Sequence, residues 1–394
     1  MPPCTDVLEL LLARLEEEIP RSVELRRRLH AAPELAHHEN LTAAAVTEAL
    51  GFEVTQAAGT GLIASAAGAG RAGAGRAVAV RAELDGLPVQ ERTGAEYASQ
   101  NGAMHACGHD VHAAALVALL RAGRALAHRL PAPLMGVFQP SEEAYPSGAQ
   151  LLVQGGCLDG AVRAIVGVHV QPDLPWASMS ISPGPVNAAC DNVDIVVQGQ
   201  SAHGAYPHHG RDPILAISSI VTGLHTLVSR RLDPLHPAVL TVGELHAGSS
   251  ENIIPARASA SATVRTHLPG DRQMLRELIG ELVESTARAH GCTGHVEITE
   301  GEPVLYNDAP TSERAQILAP AAGIRIAAPW RSCGSDDFSF FGAIAPIAMA
   351  FAGLAGAPGF HSRPLHHPEF LPPDEAVALV ARAQAVLYLA AVQP

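Results

Sequence analysis

Lysine is absent from this sequence, in which all 26 basic residues are arginine. That absence excludes a phosphate-binding-loop lysine, a Schiff-base lysine and a Ser-Lys dyad. Cysteine is scarce, with six scattered residues and no CxxC pair, which favours a reducing compartment over a disulfide framework. The 39 acidic residues bring the net charge to −13, which argues against nucleic acid or an anionic membrane surface as a partner.

Targeting and membrane segments are not expected either. Residues 1–20 contain acidic side chains and lack the basic region and cleavage site of a signal peptide, so they are typical of an amphipathic helix. An apolar run at residues 342–360 is interrupted by prolines and glycines, which favours a buried strand near residues 347–351 over a bilayer span. We therefore expect a soluble, cytoplasmic protein, and 394 residues correspond to roughly two to three domains.

Residues 105–112 concentrate three imidazoles, a thiol and a carboxylate ahead of a long apolar helical segment. Cys107 and His109 stand two positions apart, and in a loop such a pair can turn toward one ion. Thiolate and imidazole together suit a borderline-soft metal such as zinc. The alternative is a buried cysteine that packs as a small apolar group among helix-capping residues.

Three apolar strands, at residues 77–81, 134–138 and 164–168, are each followed by polar side chains. Helical segments separate the strands, which predicts a largely parallel sheet. Ligands bind at the carboxyl ends of such strands. The side chains expected there are Asp85, Glu142, Glu143 and His169. A helix-capping role for the carboxylates and a structural role for the histidine are the alternatives.

The character of the chain changes from about residue 187. Alternating strands at residues 193–197, 238–245 and 258–264 combine with helices at 213–229 and 273–290, and residues 199–210 form a loop rich in glycine and histidine. The sequence thus predicts an α/β fold in which residues 1–186 and 300–394 form one domain with a mainly parallel sheet. Residues 187–299 form an inserted α+β domain.

Three further features of the sequence bear on its local structure. Residues 7–18 and 21–30 are expected as two helices. Residues 68–73 match GxGxxG, but a strand follows instead of a helix, so we expect a flexible connection and not a dinucleotide site. His366 and His367 are adjacent, and on an extended backbone only one of them can point into a given site.

Several motifs together resemble one known family, the M20 metallopeptidase-like amidohydrolases, in the branch of hippurate hydrolases, aminoacylases and auxin-conjugate hydrolases. The resemblance runs along nearly the whole chain. The motifs lie at residues 27–35, 81–88, 105–112, 138–143, 167–170, 252–255 and 365–370. The family implies a zinc-peptidase-like catalytic domain with an inserted lid domain that often forms a homodimer or higher oligomer.

The resemblance also implies roles for individual residues. One or two divalent ions, zinc or manganese, would be bound by Cys107, His109, Glu143, His169 and His366, the last chosen from the family's Leu-His-x-Pro-x-Phe spacing. Glu142 would be the general base, and Asp85 would orient a ligand. Three residues of the inserted domain would approach the substrate: His203, Asn252 and Arg265.

This chain departs from the family pattern at three places. Glu83 and Asp336 exchange the usual acidic residues, Asp and Glu respectively, and the loop at residues 144–148 is one residue longer than in common members. None of these changes removes an expected ligand or the base. They bear on substrate preference, so the substrate is predicted only by class.

The predicted function is metal-dependent hydrolysis of the amide bond of N-acyl amino acids. A divalent metal lowers the pKa of water and polarises a carbonyl, and a neighbouring carboxylate transfers the proton to the leaving nitrogen. Adjacent Glu142 and Glu143 suit a division between proton transfer and metal binding. A metallo-dipeptidase or aminopeptidase is one alternative, and a metal-dependent binding protein without turnover is another.

Overall fold

The computed structural model of the protein describes residues 2–66 and 75–392. The GxGxxG segment at residues 68–73 lies outside the described residues. The α-helices are α1 (Pro2–Ala31), α2 (Asn40–Leu50), α3 (His109–Ala125), α4 (Gly148–Gln154), α5 (Pro213–Arg231), α6 (Pro269–Ala289), α7 (Ala309–Leu318) and α8 (Glu375–Val392). Short 3-10 turns cover Pro207–His209, Ala319–Ala322 and Asp337–Ala343.

The strands of the described residues range from two to fourteen residues in length. They are β1 (Val54–Ala57), β2 (Gly61–Ser65), β3 (Ala77–Glu83), β4 (Leu134–Gln139), β5 (Val162–Pro175), β6 (Ser178–Ser180), β7 (Gly184–Asn187), β8 (Ala189–Gln198), β9 (Ala202–His203), β10 (Ala238–Ala247), β11 (Ile253–Ile254), β12 (Arg257–Thr266), β13 (Thr293–Glu300), β14 (Leu305–Asn307), β15 (Arg325–Ile326) and β16 (Ile347–Ala355).

The chain divides into two compact units. The first unit contains Met1–Gly184, Tyr306–Trp330 and Asp337–Pro394, and the second contains Pro185–Leu305 and Arg331–Asp336. Each unit has its own hydrophobic core.

The first unit is built on an eight-stranded sheet with the order β1-β2-β4-β3-β5-β16-β6-β15. Its central strands β4, β3, β5 and β16 are parallel to one another, whereas β1, β2 and β6 introduce antiparallel pairs. Every residue of β3 is buried, as expected for a parallel strand covered on both faces. The predicted α/β class with a mainly parallel sheet is confirmed.

Helix α1 runs without interruption through Pro20, whereas the sequence predicts two helices. A proline inside a helix removes one backbone hydrogen bond. Leu15 before the proline and Leu25 after it are both buried in the same core cluster. Burial of apolar side chains on both sides of Pro20 outweighs the loss of one hydrogen bond.

Two described helices, α5 and α8, are long and apolar enough to cross a membrane by length and composition alone. In α8, 78% of the apolar window is buried inside the protein, where it packs against α1, α3 and β5. In α5 the buried positions recur at helical spacing, from Ala216 and Ile217 to Leu224 and Leu227. The first pattern is that of a buried core helix, and the second is that of an amphipathic helix with one buried face.

The second unit is a four-stranded antiparallel sheet with the order β10-β12-β8-β13. Buried and partly exposed residues alternate strictly along β12, so the sheet presents one apolar face. Helices α5 and α6 pack against that face and against each other. Asp212 starts α5 by accepting the amide hydrogen of Ile214 at 2.8 Å, which is a standard N-terminal cap.

Candidate metal centre

Gly108 allows Cys107 and His109 to face the same space. It adopts φ +86°, and a Cβ atom at this position would lie 2.5 Å from Cγ2 of Val170. Only glycine meets both conditions without strain. His109 then becomes the first residue of α3, and both its side chain and that of Cys107 are buried.

His109 is oriented by Asp85. Its Nδ1 atom donates to the main-chain oxygen of Asp85 at 2.9 Å and lies 3.3 Å from Oδ1 of the same residue. Nε2 is therefore the nitrogen that could bind a metal, and it is buried without a hydrogen-bond partner among the described residues. Burial lowers the pKa of this ring, but the charges of Glu83, Asp85 and Glu143 outweigh burial and raise it to about 10. A site with that much negative charge and an open imidazole nitrogen fits a bound cation.

The pKa of His169 is lowered, whereas that of His109 is raised. Its Nδ1 atom donates to the main-chain oxygen of Val170 at 2.7 Å, and its Nε2 atom lies 3.3 Å from Sγ of Cys107. Burial lowers the pKa of His169 to about 3. The ring is therefore neutral at physiological pH, which is the form that binds metal.

Glu142 and Glu143 lie in a turn that follows β4. The amide of Glu143 donates to Oδ2 of Asp85 at 2.9 Å, so Asp85 contacts both this turn and the His109 ring. Hydrogen bonds from His109 and from the Glu143 amide outweigh burial and lower the pKa of Asp85. Oε2 of Glu142 lies 3.9 Å from Nε2 of His109, next to the expected ligands.

His366 also reaches this turn. Its Nε2 atom lies 3.2 Å from Oε1 of Glu143, and its amide donates to the main-chain oxygen of Ala106 at 2.8 Å. The neighbouring His367 instead accepts the amide hydrogen of Glu369 at its Nδ1 atom. Of the two adjacent histidines, His366 is the one beside Glu143.

The expected ligands fall into two overlapping groups whose potential donor atoms lie within 4.8 Å of one another. The first group is Cys107, His109 and His169, and the second is Cys107, Glu143 and His366. The Sγ atom of Cys107 belongs to both. Imidazole, thiolate and carboxylate are all ligands of zinc, and two groups that share one thiolate fit a pair of neighbouring ions.

Glu83 and His112 form a further potential group with His169, but their atoms are engaged. Nε2 of His112 accepts the amide hydrogen of Val170 at 3.0 Å, and Nδ1 donates to Oε2 of Glu83 at 2.9 Å. Glu83 also contacts Arg81. Although burial raises the pKa of Glu83, the charge of Arg81 and the hydrogen bond from His112 lower it well below the ordinary value. Through the Val170 amide, this pair holds the strand beside the expected ligand His169, and both nitrogens of His112 are already hydrogen-bonded.

The second unit holds the remaining three predicted residues. His203 on β9 pairs with Ile253 on β11, and the amide of Gly204 donates to the main-chain oxygen of Asn252 at 2.8 Å. His203 and Asn252 are thus neighbours. Arg265 lies near the far end of β12, where its Nη1 atom donates to Oγ of Ser335 at 2.8 Å.

Sequence analysis missed a buried polar network beside the start of α3. Nε of Arg26 donates to Oδ2 of Asp110 at 2.8 Å, and His30 bridges the same oxygen at 2.9 Å and Oε1 of Glu91 at 3.1 Å. Although burial raises the pKa of Asp110, the charges of Arg26 and His30 lower it far below the ordinary value. The four-residue spacing of Arg26 and His30 on α1, which places both on one helix face, was the available signal.

The family described as Peptidase family M20/M25/M40 matches residues 79–389, a range that contains every residue of both ligand groups.

Two curated relatives have long alignments. N-acetyl-L-cysteine deacetylase of Bacillus subtilis is 34% identical over 371 residues, 93% of this chain and 86% of the relative. N-acyl-L-amino acid amidohydrolase of Geobacillus stearothermophilus is 36% identical over 304 residues, 75% of this chain and 81% of the relative.

A solved structure is similar as well. The Bacillus subtilis YXEP protein, described as a dinuclear metal binding peptidase from the M20 family, aligns with a TM-score of 0.81 at 30% identity. The alignment covers 95% of this chain and 98% of that chain. The similarity therefore extends over most of the chain and includes both units.

Proposed function

The chain belongs to the peptidase family M20/M25/M40 and is a metal-dependent hydrolase of amides, and we propose that its substrates are N-acyl amino acids. The observation that carries the proposal is the convergence of the two ligand groups around Cys107, with Glu142 3.9 Å from His109. The two relatives named for the removal of acyl groups from amino acids support the substrate class.

The proposed cofactor is a pair of divalent ions, zinc or manganese, held by the two groups that share Cys107. The thiolate and imidazole donors favour zinc, whereas the carboxylate is also suited to manganese. The dinuclear description of the similar structure supports two ions. Elemental analysis of the purified protein, with the metal-to-protein ratio, tests both the identity and the number.

The bound metal would lower the pKa of water and polarise the amide carbonyl. Glu142 then removes a proton from the attacking water and delivers it to the leaving nitrogen. Asp85 holds the His109 ring in the tautomer that presents Nε2 to the metal. Arg265 would bind the free carboxylate of the substrate, and His203 and Asn252 would donate hydrogen bonds to the polarised carbonyl and its neighbours.

The test combines a substrate panel with two adjacent variants. N-acetyl, N-benzoyl and long-chain acyl amino acids are compared with dipeptides that carry a free amine, by following amine release. Glu142→Gln should retain metal and lose about two to four orders of magnitude in kcat. Glu143→Gln is the matched control, and it should lower the metal content as well. Near-normal turnover by Glu142→Gln would disprove the role of Glu142.

The panel also separates the alternatives. Preference for dipeptides with a free amine would favour a dipeptidase or aminopeptidase over the proposed substrates. If the metal-loaded protein cleaves no amide in a broad panel, a binding role without turnover replaces the proposal.

We further propose a soluble, cytoplasmic homodimer or higher oligomer formed through the second unit. Strand β10 is at the edge of its sheet, and Val239 and Leu245 on it are exposed, as is Leu215 on α5. An exposed edge strand with apolar side chains can pair with another copy. Light scattering coupled to gel filtration tests this, since Leu245→Glu should yield monomers, and a monomeric wild type would overturn the proposal.

A further inference from the structure

We infer that Glu39 is a positioning residue that fixes the turn carrying Glu142. The inference rests on the proposed function, in which Glu142 is the base. Glu39 belongs to no ligand group, and its carboxylate is completely buried. Its position is the residue before α2, far from Glu142 in the sequence.

Both oxygens of the Glu39 carboxylate accept hydrogen bonds from residues outside α2. Oε1 accepts the amide hydrogen of Ser141 at 2.8 Å, and Oε2 accepts the hydroxyl hydrogen of Thr60 at 2.6 Å. Glu39 occupies the N-cap position of α2 but makes no side-chain cap bond. The capping contact to the Thr42 amide comes from Glu34 instead, at 2.8 Å. Capping therefore does not explain the buried carboxylate.

Ser141 has a backbone conformation that requires support. Its φ is +47°, in the left-handed region that residues other than glycine, asparagine and aspartate seldom adopt. Its hydroxyl donates to the main-chain oxygen of Ala144 at 3.1 Å and accepts from Nε2 of His37 at 3.0 Å. Its own main-chain oxygen accepts from the amide of Gly148 at 2.8 Å. Strained residues persist where surrounding contacts over-determine them.

The pair Glu142–Glu143 is thus held at both ends. Glu39 binds the amide of Ser141 directly before the pair, and Asp85 binds the amide of Glu143 at 2.9 Å. Loss of the Glu39 carboxylate would release the first end and leave the second in place. A displacement of about 1 Å at a reacting group can cost on the order of 100-fold in rate.

A purely structural role is the competing explanation, in which Glu39 only ties α2 to the sheet. Thr60→Val provides the matched control, because it removes the other hydrogen bond of Glu39 and leaves the contact with Ser141. A structural role predicts similar effects of Glu39→Ala and Thr60→Val on stability and none on kcat. The positioning role predicts a loss of kcat in Glu39→Ala alone.

The experiment uses the full-length, metal-loaded enzyme with the best N-acyl amino acid of the panel. Glu39→Ala should lower kcat by about 10- to 100-fold with KM and metal content nearly unchanged. Glu39→Gln should recover most of that loss, since its amide oxygen can accept from Ser141 while its NH2 group donates to the Thr60 hydroxyl. Glu39→Asp, which is one methylene shorter, serves as the milder variant if Glu39→Ala does not fold. Normal kcat in a folded Glu39→Ala or Glu39→Asp enzyme would overturn the inference.

A double variant tests whether Glu39 affects kcat through Glu142. In the Glu142→Gln background, Glu39→Ala should cause little further loss, because residues that act as one unit are non-additive. A full additional loss would show that Glu39 acts on something other than Glu142.

Hydrogen exchange separates this inference from the proposed function. If the wild type hydrolyses no amide, the proposed function fails, yet the turn can still be observed. The amide of Ser141, which loses its acceptor only when the Glu39 carboxylate is removed, should then exchange faster in Glu39→Ala than in Thr60→Val. Equal exchange in the two variants would overturn the positioning role by itself.

Discussion

Nε2 of His112 lies 3.0 Å from the amide nitrogen of Val170 and accepts its hydrogen bond. The proton of the neutral ring is therefore on Nδ1, which donates to Oε2 of Glu83 at 2.9 Å. Because Val170 directly follows His169, this contact fixes the strand segment that presents the His169 ring to Cys107. His112 thus holds the proposed ligand His169 in place, although the imidazole of His112 could itself bind a metal.

The first prediction concerns His112→Asn. An asparagine NH2 group can replace the Nδ1 donor to Glu83, but it leaves the amide of Val170 without its acceptor. Zinc affinity should fall by about 10- to 100-fold, as is usual when a residue that orients a ligand is changed. Competition with a chelator measures it, and the exposed His128 offers the control variant His128→Asn. Equal affinities of the two variants would contradict the role.

The second prediction concerns Cys107→Ala. Because Sγ of Cys107 belongs to both ligand groups, its removal should lower the metal-to-protein ratio more than loss of a ligand from one group. In the wild type, bound metal should protect Cys107 from a small thiol reagent. Cys157 is exposed and should react with or without metal. Labelling of Cys107 that does not depend on a chelator would show that it is only a packing residue.

The third prediction concerns Arg265→Ala. A charge-assisted hydrogen bond contributes about 1.5–3 kcal/mol, so KM for substrates with a free carboxylate should rise by roughly 10- to 100-fold. Their amide-capped analogues should be much less affected. Arg257 on the same strand is exposed, and Arg257→Ala is the control. Ser335→Ala, which removes the partner at 2.8 Å, should produce a smaller rise in the same direction. An equal rise for capped and free substrates would exclude carboxylate binding.

The fourth prediction is a pH dependence of stability. Burial lowers the pKa of His30, but the charge of Asp110 and hydrogen bonds to Asp110 and Glu91 outweigh burial and raise it. A raised pKa means that the folded state binds this proton more tightly than the unfolded state. Its stabilisation is complete below the unfolded pKa of about 6.5 and disappears as pH rises through the folded pKa. Denaturant unfolding should show that the stability gap between wild type and His30→Gln narrows from pH 6 to pH 9. A constant gap would show that His30 gains no proton affinity on folding.

The fold class could be predicted because the relevant signals are local in the sequence. The apolar strands that end at Glu83 and Gln139 are separated by a helical segment, and that order alone favours a parallel sheet. The continuity of α1 through Pro20 could not be predicted, since the effect of Pro20 depends on whether Leu15 and Leu25 are buried in a common core. The roles of the predicted site residues stay predictions, although the structure brings Cys107 and His169 within 3.3 Å.

The sequence by itself determined which side chains are available for a metal site and in which order they follow the strands. It could not decide which histidine nitrogen is open, because that depends on hydrogen bonds such as those of His112 with Val170 and Glu83. The sequence could not reveal the contact of Glu39 either, because Glu39 and its hydrogen-bond partner Ser141 are 102 residues apart in the chain. A buried carboxylate requires hydrogen-bond donors, and only the tertiary structure decides where those donors lie.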